Sequence, residues 1–136
     1  MKGKITFIIG LPGSGKTSFA KEQYPSAVIL DDFCLLKDPL KQLRKLLKDG
    51  KHCIVIDPYL CYRHNQDNAR RRLANLRALE WVFFENCPKL CLANVEARAK
   101  KGDNRVVAEF IRQASSHYYI PKGANIREVY HAPAKP

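Results

Sequence analysis

The chain has 136 residues, 46% of them hydrophobic and 27% charged, and a formal net charge of +11 at pH 7. That length suits one domain with a substantial core and is too short for a second, so residues 1–136 are expected to form a single unit. The apolar runs fall far short of a membrane span, no targeting segment is expected ahead of the first strand, and a charge balance this basic points to polyanionic partners, nucleic acid above all.

Ile5 to Ile9 reads as a strand and Thr17 to Gln23 as a helix, and the loop between them is Gly10-Leu11-Pro12-Gly13-Ser14-Gly15-Lys16-Thr17. This is G-x-x-x-x-G-K-[ST] in the strand-loop-helix setting that a phosphate-binding loop requires. Glycines at 10, 13 and 15 admit backbone conformations closed to other residues, so successive N–H groups can turn toward phosphate oxygens. The helix that follows offers its free N–H groups and positive dipole end to the same anion. Lys16 is placed to reach the β- and γ-phosphates, and the Thr17 hydroxyl to ligate the magnesium ion between them. The nucleotide-binding set is therefore Gly10, Pro12, Gly13, Ser14, Gly15, Lys16, Thr17 and Ser18, with ATP and Mg2+ as the expected ligands.

Ala27 to Leu30 forms a second apolar run and ends in Asp31-Asp32. Leu40, Leu43, Leu46 and Leu47 recur at helical spacing until Asp49-Gly50 closes that helix. Cys53 to Ile56 gives a third strand, ending at Asp57-Pro58. A basic helix is expected from Asn65 to Leu79, with Ala69, Leu73, Leu76 and Leu79 on its buried side. Glu80 to Phe84 reads as a fourth strand. A helix opens at Pro88 and runs through Cys91 and Val95 toward Lys101 and Gly102, and another carries Val106, Val107, Phe110, Ile111 and Ala114. A last strand is expected from Ile126 to Tyr130, and residues 132–136 as a frayed tail. Five cysteines show no C-x-x-C pair and no zinc spacing, which suits reduced thiols in an intracellular protein.

Strands alternating with helices imply an α/β fold, a mostly parallel sheet with helices on both faces and right-handed crossovers. Ligands of such sheets sit beyond the carboxyl ends of the strands, where the glycine loop, Asp31-Asp32 and Asp57 should converge. A carboxylate after the second strand can take the proton from an attacking hydroxyl, and Asp31 is the first choice for that base, Asp32 the second. Asp57 is the candidate magnesium carboxylate beside Thr17. The run from Arg98 to Arg105, with Gly102 as a hinge, reads as a small cationic lid whose Lys101 and Arg105 would neutralise charge on the transferred group.

Together, Ile8-Ile9-Gly10, Pro12 to Thr17, Ile29-Leu30-Asp31-Asp32, Val55-Ile56-Asp57 and Ala99-Lys100-Lys101-Gly102 resemble the kinase domain of bacteriophage-type polynucleotide kinases. The resemblance spans nearly the whole chain, and its most specific part is the phosphate loop. It implies a three-layer P-loop NTPase fold, Asp31 as base, Asp57 as the strand-three carboxylate, and lid cations between Lys100 and Arg105. The family's Asp-Asp is flanked by arginines where this chain has Leu30 and Cys34, so the arginine that helps grip the substrate phosphate there is either missing or replaced by Arg63 or Arg70. Small stand-alone phage kinases that phosphorylate a hydroxymethyl group on a DNA pyrimidine are similar in size and motif content.

Three functions stay open on the sequence. The first is a kinase acting on a hydroxyl of nucleic acid, DNA foremost, at a modified base or a 5′-end. Its acceptor surface would be built from Asp32, Tyr59, Arg63, Arg70 and Arg71, with Tyr62, Arg72 and Arg77 nearby and the tyrosines stacking on bases. The second is a small-metabolite or nucleotide kinase, and the third an ATPase switch without an acceptor. A cytoplasmic location is expected, including that of an infected host cell.

Overall fold

The central strands of this protein are short and apolar on both sides because both sides are covered. Ile5, Phe7, Ile8 and Ile9 are fully buried on consecutive or alternate positions of one strand, the pattern of a parallel sheet packed between layers. The computed structural model describes residues 3–33, 37–73, 79–98 and 105–129. Among these, five strands, β1 (Lys4–Ile9), β2 (Val28–Asp31), β3 (His52–Ile56), β4 (Leu79–Phe84) and β5 (Asn125–Arg127), form one parallel sheet in the order β2-β3-β1-β4-β5. The helices are α1 (Lys16–Gln23), α2 (Pro39–Lys48), α3 (Arg63–Leu73), α4 (Pro88–Arg98) and α5 (Arg105–His117), with a 3₁₀ turn over Pro58–Cys61.

Alternation along β1 divides the core. Ile5, Phe7 and Ile9 join Leu43 and Leu47 of α2, Leu73 of α3, Cys91 and Val95 of α4, and Ile111 and Ala114 of α5. Ile8 joins Ile54, Ile56, Val82 and Phe84 against Ala20 and Phe19 of α1. Helices thus cover both faces, and the fold is α/β as the alternation of elements implies. Phe7 and Trp81 stack face to face across the β1–β4 pair, with centroids 4.1 Å apart.

Local chemistry sets the helix ends. Asp38 caps α2 by accepting from the Lys41 N–H, Pro39 opens it, and Gly50 follows its end at φ +76°. The leucine stripe is core, as its spacing requires, with Leu43 and Leu47 buried.

Several boundaries differ from the sequence reading, among them the last strand, which spans Asn125–Arg127 and leaves out Glu128 and Val129. The basic helix begins earlier, at Arg63, and its described part ends at Leu73. Leu79 does not belong to it; it is the first residue of β4, paired with Ile5. A leucine at helical spacing from Leu76 carried that expectation, but sheet pairing next to Glu80-Trp81 decides its state, since strand propensity is settled by tertiary neighbours. Leu76 and Arg77 lie outside the described residues. Asp31 is the last residue of β2, opposite Ile56 of β3, rather than following the strand.

The segment after α5 returns to the site end of the sheet. Tyr118 Oη lies 2.6 Å from the Phe84 carbonyl oxygen and 3.2 Å from that of Ile9, spanning the ends of β4 and β1. The buried Gln66 amide donates to the carbonyls of Leu60 and Tyr119, tying α3 to the same segment.

Candidate active site

The phosphate loop leaves β1 at Gly10 and enters α1 at Lys16, and its glycines are needed for stated reasons. Gly13 and Gly15 hold φ of +85° and +99°, the region that side chains disfavour. A Cβ on Gly13 would stand 2.5 Å from the Cys91 carbonyl oxygen, because α4 packs against the outside of the loop. Asn94, buried in α4, donates from Nδ2 to the Gly13 carbonyl at 2.9 Å. Gly15 occupies the N-cap of α1 and supplies no side-chain cap, which leaves the first N–H groups of the helix to an anion.

Two further features fit a bound phosphate. The Ser14 hydroxyl is buried with no hydrogen-bond partner, a state that costs free energy unless a ligand satisfies it. Lys16 is buried, and its ammonium donates to the carbonyls of Gly10 at 2.8 Å and Leu11 at 3.0 Å. Burial lowers its pKa below the usual lysine value, against the opposing pull of surrounding negative groups that include Asp31 and Asp57.

A cavity of about 200 Å³ opens over the loop, lined by Pro12, Gly13, Lys16 and Thr17 together with Asp31, Asp32 and Arg98. Asp31 is exposed, and its Oδ1 accepts from the Asp32 N–H at 3.0 Å. Asp32 sits at φ +50°, a conformation that aspartate tolerates better than most residues. Asp57 is buried behind the cavity and caps the 3₁₀ turn, its Oδ1 accepting from the Tyr59 N–H at 2.8 Å. A magnesium ion takes few protein oxygens and completes its shell with water and phosphate. Thr17 with the nearby carboxylates is a donor set of that kind, although among the described residues no group of three or more His, Cys, Asp or Glu side chains is placed to hold a metal by itself.

The remaining candidates lie as follows. Arg98, the last residue of α4, reaches the phosphate cavity. Arg105 opens α5 and lines a separate groove between α4 and α5, and Lys101 lies outside the described residues. Arg63 stands over the Tyr119 ring at 4.6 Å and pairs with Asp67, and Arg70 stands over the Trp81 ring at 4.3 Å and pairs with the same Asp67. Arg71 donates to the Asn68 side-chain oxygen. None of these three borders the phosphate cavity. Tyr59 is 45% exposed and meets Phe110 edge-on at 5.3 Å. Asn94 escaped sequence reasoning, although a carboxamide between Cys91 and Val95 on a buried helix face was a visible signal that something polar lay opposite.

Burial raises the thiols near the loop, Cys61 to about 12 and Cys91 to about 11, and all four described cysteines are free. Cys61 and Cys91, buried and raised, are packing groups. No helix among the described residues is long and apolar enough to cross a membrane.

No family model matches the chain. It is 32% identical over 131 residues to Uncharacterized protein R277 of Acanthamoeba polyphaga mimivirus, covering 88% of this chain and 89% of that one. Among solved structures, a gluconokinase from Sinorhizobium meliloti 1021 superposes with a TM-score of 0.61 at 14% identity, covering 96% of this chain and 85% of the other. A sugar kinase from Janibacter sp. HTCC2649 gives a TM-score of 0.65 at 10% identity, covering 93% and 84%. At these identities the likeness is one of fold, the P-loop kinase fold, and it stops short of the polynucleotide kinase subgroup.

Proposed function

The chain belongs to one family with the mimivirus protein, and from that premise and the geometry of the site we propose that it is an ATP-dependent kinase of a small-molecule hydroxyl. The observation that carries this reading is a single cavity walled by Lys16, Thr17, Asp31, Asp32 and Arg98. A phosphate loop alone serves switches and motors equally well. Carboxylates lining the same open cavity as the loop supply what transfer to an acceptor needs.

In the proposed step, the acceptor oxygen bonds to the γ-phosphorus, and the bond from that phosphorus to the β–γ bridging oxygen breaks, its electron pair leaving on ADP. The hydroxyl proton passes to the Asp31 carboxylate. Lys16 and Arg98 balance the charge on the transferred group, the effect that dominates phosphoryl transfer. Lys101 and Arg105 would join them on closure of the lid. Thr17 and Asp57 would hold the magnesium ion, which when bound screens the phosphate oxygens. The gluconokinase and the sugar kinase, whose folds this chain shares, support a small acceptor.

A hydroxyl on nucleic acid is the second reading, favoured by the net charge of +11. Incubation with Mg-ATP and a panel of polyols, sugar acids, nucleosides and hydroxymethylated or 5′-hydroxyl oligonucleotides, with ADP release and labelled product followed, tests both. Transfer to small hydroxylated compounds that Lys16→Ala abolishes is the expected result. Transfer to oligonucleotides alone moves the function to the second reading, and ATP binding without transfer to any acceptor removes both.

A further inference from the structure

A second cavity, of about 160 Å³, is lined in part by residues that lie one and two positions along the chain from residues of the first. Asp31 and Asp32 border the phosphate cavity, and the next residue, Phe33, borders the second. Ile56 and Pro58 border the phosphate cavity, and Leu60 borders the second. The carboxylate pair thus immediately precedes, in the chain, a residue of the second cavity. Resting on the kinase reading above, we propose that this second cavity is the acceptor pocket and that it takes a small polyhydroxylated anion, held at its charged end by Arg72.

The opposite wall is one face of α3. Asn65, Asn68, Ala69 and Arg72 lie at spacings of three, four and seven residues, the spacing of a single helical stripe. A stripe turned toward buried Phe33 and Leu60 would be apolar if its purpose were packing. Here it carries two carboxamides and a guanidinium around a small Ala69 that leaves space between them.

The arginines of this helix divide by partner. Arg63 and Arg70 are committed to aromatic rings and Asp67, and Arg71 to Asn68. Among the described residues Arg72 pairs with no carboxylate and stacks on no ring, yet it lines the cavity. A guanidinium offers a planar fork of donors that matches a carboxylate or a phosphate. The carboxamides retain capacity for hydroxyls. Asn65 spends one N–H on the Tyr59 carbonyl, and Asn68 uses one N–H toward His64 and its oxygen toward Arg71. Each amide has two N–H groups and an oxygen with two lone pairs, so Asn65 keeps its whole oxygen and Asn68 one N–H and one lone pair. The volume holds roughly five waters at about 30 Å³ each, the scale of one compact molecule.

The experiment measures Mg-ATP-dependent phosphorylation of four probes: gluconate, glucose 6-phosphate, neutral sorbitol and a hydroxymethylated oligonucleotide. ATP binding is read separately by calorimetry. Transfer to gluconate or glucose 6-phosphate in preference to sorbitol is expected, and which of the two is used tells carboxylate from phosphate. Arg72→Ala should then raise the KM for that anion about tenfold or more and leave the KM for ATP within about twofold, while Arg72→Lys recovers part of the loss. Preference for sorbitol or for the oligonucleotide, transfer to none of the four by a protein that binds ATP, or an Arg72→Ala protein with unchanged acceptor KM would overturn the proposal. A protein that binds no ATP at all would instead remove the kinase reading on which it rests.

Discussion

The carboxamide of Asn94 donates to the carbonyl oxygen of Gly13 across 2.9 Å, binding the middle of α4 to the crown of the phosphate loop. Four residues further along α4, Arg98 enters the phosphate cavity. One rigid helix thus fixes both the loop that cradles phosphate and a cation facing it. The bond also turns the Gly13 carbonyl outward, which keeps an electron-rich oxygen away from an anionic ligand.

Replacing Asn94 with Ala should therefore weaken ATP binding without removing any group that touches ATP. An unmet buried carbonyl costs about 1–3 kcal/mol, and the expected loss of ATP affinity is about tenfold. Asn94→Asp keeps the shape but sets an acceptor against an acceptor, and should be worse than Ala. Calorimetric titration of the two variants checks the order; equal affinities for wild type and Asn94→Ala would remove the coupling between α4 and the loop.

Gly13→Ala strains the loop in two ways. The positive φ disfavours any Cβ by about 1–2 kcal/mol, and the new methyl would stand 2.5 Å from the Cys91 carbonyl oxygen, in rigid helix backbone. Loss of measurable ATP binding is expected, with thermal stability lowered as α4 is pushed off. Gly123→Ala is the matching control, since it has a positive φ of +81° but open space around it. Were Gly13→Ala no more harmful than Gly123→Ala, the close approach of α4 would not be what demands a glycine here.

Much of this was legible in the chain because local chemistry decided it. The glycine loop, the β2 and β3 runs and the leucine stripe of α2 each carry their own period or motif, and each forms the expected element, β2 shifted by one residue. What escaped was decided by partners distant in sequence. Leu79 obeys its pairing with Ile5 rather than the helical spacing before it. Arg70, expected on the acceptor surface, stands over Trp81, 11 positions on, a contact that its spacing in the sequence does not announce. Four neighbouring arginines cannot be told apart by composition; their places on α3 separate Arg72, which lines a cavity, from Arg63, Arg70 and Arg71, which meet Tyr119, Trp81 and Asn68. Lys101 lies outside the described residues, and Arg98 at the end of α4 lines the cavity over the loop.

The two aspartates should separate under substitution. Asp31→Asn removes a proton acceptor while preserving shape, so kcat should fall about 10²- to 10⁴-fold with little change in ATP affinity. Asp32→Asn should be milder, because asparagine accepts the φ of +50° that Asp32 holds. Steady-state kinetics with the preferred acceptor decide between them. A crippled Asp32→Asn beside a nearly normal Asp31→Asn would transfer the role of base to Asp32.

Lys16 makes stability and nucleotide affinity respond to alkaline pH in opposite directions. Burial sets its folded pKa below 10.5, so in the empty site the charged form is disfavoured relative to the unfolded chain. That penalty is fully present below the folded pKa and fades as pH rises from there to the unfolded value of about 10.5. The Lys16 contribution to stability of the empty protein therefore improves across this window. Phosphate needs the cation, so ATP affinity should fall across the same window, with proton uptake on binding. The neighbouring thiols of Cys61 and Cys91, raised to about 12 and 11, stay largely protonated there and do not supply the effect. Lys16→Met removes the titrating group while filling much of its volume, and subtracting its pH profile removes the contribution of every other lysine. Calorimetry in buffers of different ionisation enthalpy reads the proton uptake directly, and thermal melts read the stability arm. A wild-type profile that superimposes on that of Lys16→Met in both measurements would show that the buried ammonium does not hold the β- and γ-phosphates.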